Sequence, residues 1–324
     1  MQPKIVVVGS LNMDLIVRSP HIPIPGETVL GNAFGTAAGG KGANQAVAAS
    51  RLGAQVTMVG CVGTDNYGQV LVDGLQADRV DTRFIRRDPI NSTGVALITV
   101  DDEGENSIVV VSGANWYLTP VDVELATEEL AMADVLLLQL ETPLDVIEQA
   151  ARIANDHHVP VILNPAPARA LPSELLGRVT YLVPNEGEAS LLSGLPVTDL
   201  ASAGKAAEHL RQQGVEVVIL TRGNQGAYVS GVPKSFAVPA FPVKPVDTTA
   251  AGDAFVAGLA FGIASKQPIQ EAVRIAAATG ALATTKVGAQ PSLPSADQVD
   301  QLLHNNSSRG LTDGYAKSQT LFHL

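Results

Sequence analysis

Short, mostly apolar runs recur along the chain at residues 5–8, 56–59, 135–140, 159–163, 181–183 and 215–220. They are too short for buried helices and lack the polar alternation of a half-wet strand, so each is predicted to be a strand buried on both faces. Residues 143–155, 200–213 and 268–286 instead carry apolar, Ala-rich faces at helical spacing, with Gly or Pro near their ends. This alternation predicts βαβ units: a mostly parallel sheet, helices on both faces, and ligands at the carboxyl ends of the strands.

Two segments break the rhythm. Residues 15–36 are rich in Pro, Gly and polar side chains, and residues 94–111 hold two β-rich pieces around the acidic stretch from Asp101 to Asn106, which reads as a hairpin turn. Both interrupt the chain near strand ends. They are expected to form a small β flap over the site and a contact for a second subunit; a merely decorative hairpin is the alternative. Beyond residue 303 the chain turns polar and loses periodicity, which predicts one domain over 1–303 and a disordered tail over 304–324.

Charge and cysteine content narrow the function. With 32 acidic against 21 basic residues, a net charge of -11 and no basic run, a surface that tracks nucleic-acid phosphates is excluded. The single cysteine, Cys61, excludes an intramolecular disulfide and reads as a small core residue in a reducing compartment. The amino terminus runs straight into a strand without a signal-peptide core, and no apolar run reaches spanning length, so a cytoplasmic protein with no membrane partner is expected. His157 and His158 sit at a helix end with no further His at ligand spacing, and no transition-metal site is expected.

Five segments carry chemistry. From Asp247 to Phe255 small residues lead into an apolar helical pattern, and a turn of this kind leaves backbone N–H groups aimed at one spot that suits a phosphate. Gly252 permits close approach, and Asp253, in the first helical turn, is placed to take a proton from an attacking hydroxyl. The alternative is that Asp253 caps the helix. The stretch from Gly39 to Gln45 opens a second helix near Ala43. It fails as a P-loop, because Gly42 stands where the Mg²⁺-binding Ser or Thr belongs, and as a dinucleotide fingerprint, because the third Gly and the later acidic residue are missing. Asn12 and Asp14, two apart after the first strand, face one side and can grip adjacent sugar hydroxyls, or can be ordinary turn residues. Asn185 and Glu188 follow the strand at 181–183 and either organise the water shell of a phosphate-bound Mg²⁺ or cap a helix. The loop from Thr221 to Gly226 is expected to lie along a nucleotide or to be a simple turn.

Taken together, these segments resemble the PfkB carbohydrate kinase family, and within it the ribokinase group, from Lys4 to about Leu303. Residues 39–63 look like the family's first signature and residues 247–255 like its second; Gln139-Leu-Glu141, Asn164-Pro-Ala-Pro-Ala168 and Gly288-Ala-Gln-Pro-Ser292 are similar to ribokinase segments. The resemblance implies a three-layer α/β/α fold with a mostly parallel sheet and a β-sheet lid that pairs subunits into a homodimer. It implies ATP-dependent phosphorylation of the primary 5-hydroxyl of D-ribose, with Asp253 as base and the amides of Ala250, Ala251, Gly252 and Asp253 as the anion hole. Around the sugar it places Asn12, Asp14, Gly40, Lys41, Asn44 and Glu141; around ATP, Asn185, Thr221, Gly223, Gly226 and Gly252. Mg²⁺ would be held through water by Asn185 and Glu188, and an activating K⁺ by Asp247, Thr249, Ala283, Lys286, Gly288 and Ser292. Ala277 departs from the Asn or His that relatives place beside adenine. A nucleoside or other sugar kinase of the same fold, or a non-catalytic sugar sensor, are the alternatives.

Overall fold

In the computed structural model, which describes residues 2–231 and 233–307, the apolar runs are strands packed between two cores. Along β1 (Lys4–Val8), Ile5 and Val7 enter one core while Val6 and Val8 enter the other, so every position after the exposed Lys4 is apolar. In chain order, β2 (Asn12–Arg18), β3 (Ala33–Gly39), α1 (Lys41–Arg51), β4 (Gln55–Gly63), α2 (Asn66–Ala77), β5 (Asp81–Asp88), β6 (Gly94–Val100) and β7 (Asn106–Val111) form the first part. Then come α3 (Pro120–Glu124), α4 (Thr127–Ala131), β8 (Val135–Leu138), α5 (Leu144–Asp156), β9 (Val161–Leu163), α6 (Ser173–Leu176), β10 (Tyr181–Leu182) and α7 (Glu186–Ser193). The chain continues through α8 (Leu200–Gln212), β11 (Val217–Thr221), β12 (Ala227–Ser230), β13 (Phe236–Val238), α9 (Ala251–Ala264), α10 (Ile269–Ala283) and α11 (Ala296–Ser307).

Among the described residues one sheet has nine strands, ordered β13-β12-β11-β10-β9-β8-β1-β4-β5. Its strands pair in parallel from β11 through β5, and only β12 and β13 add antiparallel pairs at one edge. Helices α1, α2, α9 and α10 pack on one face, α3, α5 and α8 on the other, giving the expected three layers. In α9, a Cβ at Gly262 would lie 2.6 Å from the Ala272 Cα, so the glycine lets α10 approach closely and brings the start of α9 over the sheet.

The second sheet has four strands, β3-β2-β6-β7, built from the two segments that break the strand–helix rhythm. Its strand β2 begins at Asn12, soon after β1 ends, and β3 ends at Gly39, just before α1. Both sugar-site candidates of β2 are therefore carried by the flap itself. Helix α11 runs past Leu303 to Ser307, so the boundary expected at 303 falls inside a helix, because His304 and Asn306 bond back to carbonyls one turn earlier. The rest of the expected tail, 308–324, lies outside the described residues. Among the described residues no helix is long and apolar enough to cross a membrane.

Candidate active site

Where β1 passes into β2, the chain folds tightly against the start of α1. Gly40 has φ 89°, and a Cβ there would lie 2.6 Å from the Asn12 amide nitrogen, so only glycine fits. It precedes α1, which begins at Lys41 rather than near Ala43. Asn12 is buried, and its Oδ1 accepts a 2.8 Å hydrogen bond from Nδ2 of Asn115. Asn115 also accepts from the Leu11 amide at 2.9 Å and donates to the Leu11 carbonyl at 3.0 Å. Expected to donate and accept alike, Asn12 thus has its oxygen engaged and its Nδ2 left as the available donor. Asp14 packs against Gly39, where a Cβ would lie 2.5 Å from Oδ2. Burial, then the charges of Glu141 and Asp253, push its carboxyl up to about 6 against the pull of Lys41. Glu141 accepts from Ser10 Oγ at 2.5 Å and from the Lys41 amide at 3.2 Å, which ties β8's end to α1.

Opposite lies the start of α9. Ala250, the residue before the helix, takes the left-handed conformation with φ 58° and gives no side-chain cap. The Ala251 amide donates to Thr248 O at 3.2 Å, so of the amides expected to receive an anion this one is already engaged. A Cβ at Gly252 would meet nothing within 4 Å, so its glycine answers to open space beside the helix end rather than to a protein neighbour. Asp253 is buried in the first turn. Its Oδ2 accepts from Asn44 Nδ2 at 2.9 Å and its Oδ1 from Gln45 Nε2 at 3.1 Å. Both partners are on α1, not on its own helix, so the capping alternative for Asp253 is set aside.

Along the neighbouring strand ends, Asn185 caps α7 with Glu188 in a reciprocal capping box, the structural alternative named for this pair. Glu188 nevertheless belongs to the same electrostatic site: burial pushes its carboxyl up, with the Asn185 amide and Lys41 opposing and Asp253 adding to the rise. Asn185 bridges to Thr221 at the end of β11, and Gly223 and Gly226 follow with φ 52° and 87°. Lys41 is raised foremost by Asp253, against burial, and further by Glu141, Glu188 and Asp14. One ammonium thus faces four carboxylates drawn from five separated parts of the sequence, counting its own.

A family model described as pfkB family carbohydrate kinase matches residues 2–296. The chain belongs to that family. As a pfkB carbohydrate kinase it transfers phosphoryl groups from ATP with a divalent metal. It is similar to ribokinase of Haemophilus influenzae, 42% identical over 305 residues that cover 94% of this chain and 100% of that one. Ribokinase of Bacillus subtilis is 43% identical over 300 residues, covering 93% and 99%. Among solved structures, Arabidopsis thaliana ribokinase complexed with ribose and ATP superposes with TM-score 0.87 at 33% identity, covering 94% of this chain and 99% of that one.

Outside the cluster of carboxylates around Lys41, the candidate cation residues form a second group. Asp247 Oδ1 accepts from the Thr249 amide at 2.8 Å and hydroxyl at 2.6 Å, and Oδ2 from the Gly288 amide at 2.8 Å. Burial would raise this carboxyl, but the Gly288 amide and Thr249 together hold it below its ordinary value. Amides of Val246 and Asp247 both donate to Thr284 O, so the loop before α9 is stitched to the end of α10, which closes at Ala283, and to the loop that carries Lys286 and Gly288. Ser292 is buried and donates to Ala289 O at 2.8 Å. Ala277 is buried within α10. Ser10, Gln45 and Asn115 were absent from the sequence-derived site. All three act through amides or hydroxyls whose partners lie far along the chain.

Proposed function

We propose that the enzyme transfers the γ-phosphoryl group of MgATP to the 5-hydroxyl of D-ribose, giving ribose 5-phosphate, with Asp253 as general base. The observation that carries this reading is the placement of Asp253: buried in the first turn of α9, turned toward the Gly40–Asn44 side, and adjacent to the open space at Gly252. The similarity to a relative complexed with ribose and ATP supports the substrate pair.

Phosphoryl transfer asks the protein mainly to position reactants and stabilise charge. Asp14 accepts from sugar hydroxyls and the free Nδ2 of Asn12 donates to one, holding the primary alcohol beside Asp253. Asp253 takes its proton as the O–P bond forms, a contribution of about 10²–10⁴-fold. The amides of Gly252 and Asp253, at the positive end of α9, meet the charge that develops on the transferring group. Lys41 offers a fixed positive charge in the same space. Asn185 and Glu188 supply the hard oxygen donors that suit a hydrated Mg²⁺, which when bound neutralises phosphate charge. Asp247, Thr249, Ser292 and the carbonyls of Ala283, Lys286 and Gly288 would hold a K⁺, whose positive charge, through the loops these residues join, would support the anion-binding turn. The exposed Ile108, Val109, Val110 and Val111 of β7 support pairing of two lids into a homodimer. The setting is cytoplasmic.

The test is an ADP-release panel with MgATP and K⁺. Ribose is expected to exceed 2-deoxyribose, fructose and nucleosides, and Asn12→Met to narrow the preference over 2-deoxyribose, because a site built around a hydrogen bond rejects the analogue that lacks its partner. A nucleoside or hexose preferred by the wild type overturns the ribose assignment. ADP release unaffected by any sugar or nucleoside points instead to a sensor.

A further inference from the structure

Gln45 is fully buried on α1 and touches the base directly, Nε2 lying 3.1 Å from Asp253 Oδ1. An amide is nearly symmetric in shape, so its two ends can exchange unless the neighbours forbid it. Here they do. Gln139, also fully buried, donates from Nε2 to Gln45 Oε1 at 2.7 Å. At the other end, Asn164 Oδ1 accepts from Gln45 Nε2 at 3.4 Å, and Asn164 is itself oriented by donating to Val183 O at 3.1 Å. Reversing Gln45 would set its oxygen against the Asp253 carboxylate and its NH₂ against the NH₂ of Gln139.

The chain accepts an unusual arrangement to keep this donor. Gln139 Oε1 is buried with no hydrogen-bond partner, which is unfavourable for an interior amide. A Cβ at Gly9 would run into that same oxygen, so residue 9 must be glycine to admit the side chain. A Met or Leu at position 139 would remove that oxygen but leave Gln45 Oε1, whose donor is Gln139, unpaired and buried in its place. Gln139 thus holds the Gln45 amide while its own oxygen goes unpaired.

We propose that Gln45 is a positioning residue for the base and that Gln139 sets the direction in which its amide points. With Asn44 donating to Oδ2 and Gln45 to Oδ1, the plane of the Asp253 carboxylate is fixed, and the remaining lone pairs are held toward the attacking hydroxyl. Gln139 acts only through Gln45. The inference rests on Asp253 being the general base.

Four variants in the ADP-release assay with ribose, each with a thermal melt, test it: Asp253→Asn, Gln45→Met, Gln139→Met and the Gln45→Met/Gln139→Met double variant. Gln139→Met exchanges one unpaired buried oxygen for another and is expected to melt near the wild-type temperature, with kcat lowered about 10-fold and both KM values nearly unchanged; Gln45→Met should lower kcat by about 10²-fold, as misplacement of a reacting group does. The double variant should be no slower than Gln45→Met, because residue 139 has no other route to the base. Wild-type kcat in Gln139→Met, multiplied losses in the double variant, or a loss of kcat matched by a lower melting temperature overturns the proposal. Near-wild-type turnover in Asp253→Asn removes the base assignment itself, and this inference falls with it. Loss in Asp253→Asn with none in Gln139→Met removes the inference alone.

Discussion

Asn44 Nδ2 donates to Asp253 Oδ2 at 2.9 Å across 209 residues of sequence, joining the helix that opens beside the sugar residues to the helix that opens beside the phosphate space. The two glycine-bearing stretches are thus one site, and the bond leaves the carboxylate available to a hydroxyl on its remaining lone pairs.

Asp253→Asn keeps the shape of this contact and removes its basicity. Turnover is expected to fall by about 10²-fold or more, with ribose and ATP binding nearly intact. Isothermal titration beside steady-state rates checks both halves. Turnover within a few-fold of wild type would return Asp253 to a structural role.

The Asp14 carboxyl, raised to about 6 from 3.8, gives two opposite pH dependences. Its folded-state pKa lies above the unfolded one, so the folded protein binds the extra proton. The contribution of this group to stability is largest below the unfolded pKa and declines as pH rises through that window. Ribose binding runs the other way, since hydroxyls donate to the ionised form. The ribose KM should climb as pH falls below about 6, and Asp14→Asn should lose that acid limb while melting no lower than wild type at about pH 8. A ribose KM that stays flat across the window in the wild type would falsify the assignment of Asp14 as a sugar ligand.

K⁺ should activate over Na⁺ at constant Mg²⁺ and ionic strength, and Asp247→Ala should abolish the difference while lowering turnover by about 10-fold, the scale on which groups supporting a site act. Equal rates of the wild type in the two salts exclude the cation site.

Light scattering should return a dimer for the wild type and a monomer for Val109→Lys, because β7 presents apolar side chains on both faces at a free sheet edge. A monomeric wild type at assay concentration, or a dimeric variant, disposes of pairing through this strand.

The fold was readable where burial is two-sided. The runs around Val6, Leu137 and Ile219 are apolar because both faces of the sheet are covered, and their shortness separates them from a buried helix such as α9. Strand β5 escaped because it is an edge strand whose Arg83, Arg86 and Arg87 read as loop, and β12 and β13, at the opposite edge, went unread as well. Asp253, Gly252, Asn12 and Asp14 were legible because their residue types at turn positions carry chemistry. Gln45 and Asn115 were not, since a buried amide has no local signature and its meaning depends on partners that only folding supplies: Gln45 with Asp253, 208 residues away, and Asn115 with Asn12, 103 away. The first turn of α7 shows the remaining limit. A capping box and a metal-water site use the same Asn and Glu, and the fold realises the first without forbidding the second.

The chain contains one tryptophan, Trp116, half exposed in the short 3-10 turn Gly113–Tyr117, next to the residue that holds Asn12 in place. The indole thus stands one peptide link and one hydrogen bond from Asn12. A ribose titration followed by intrinsic fluorescence in the absence of nucleotide is therefore expected to report occupancy beside Asn12, without label, coupling enzyme or turnover.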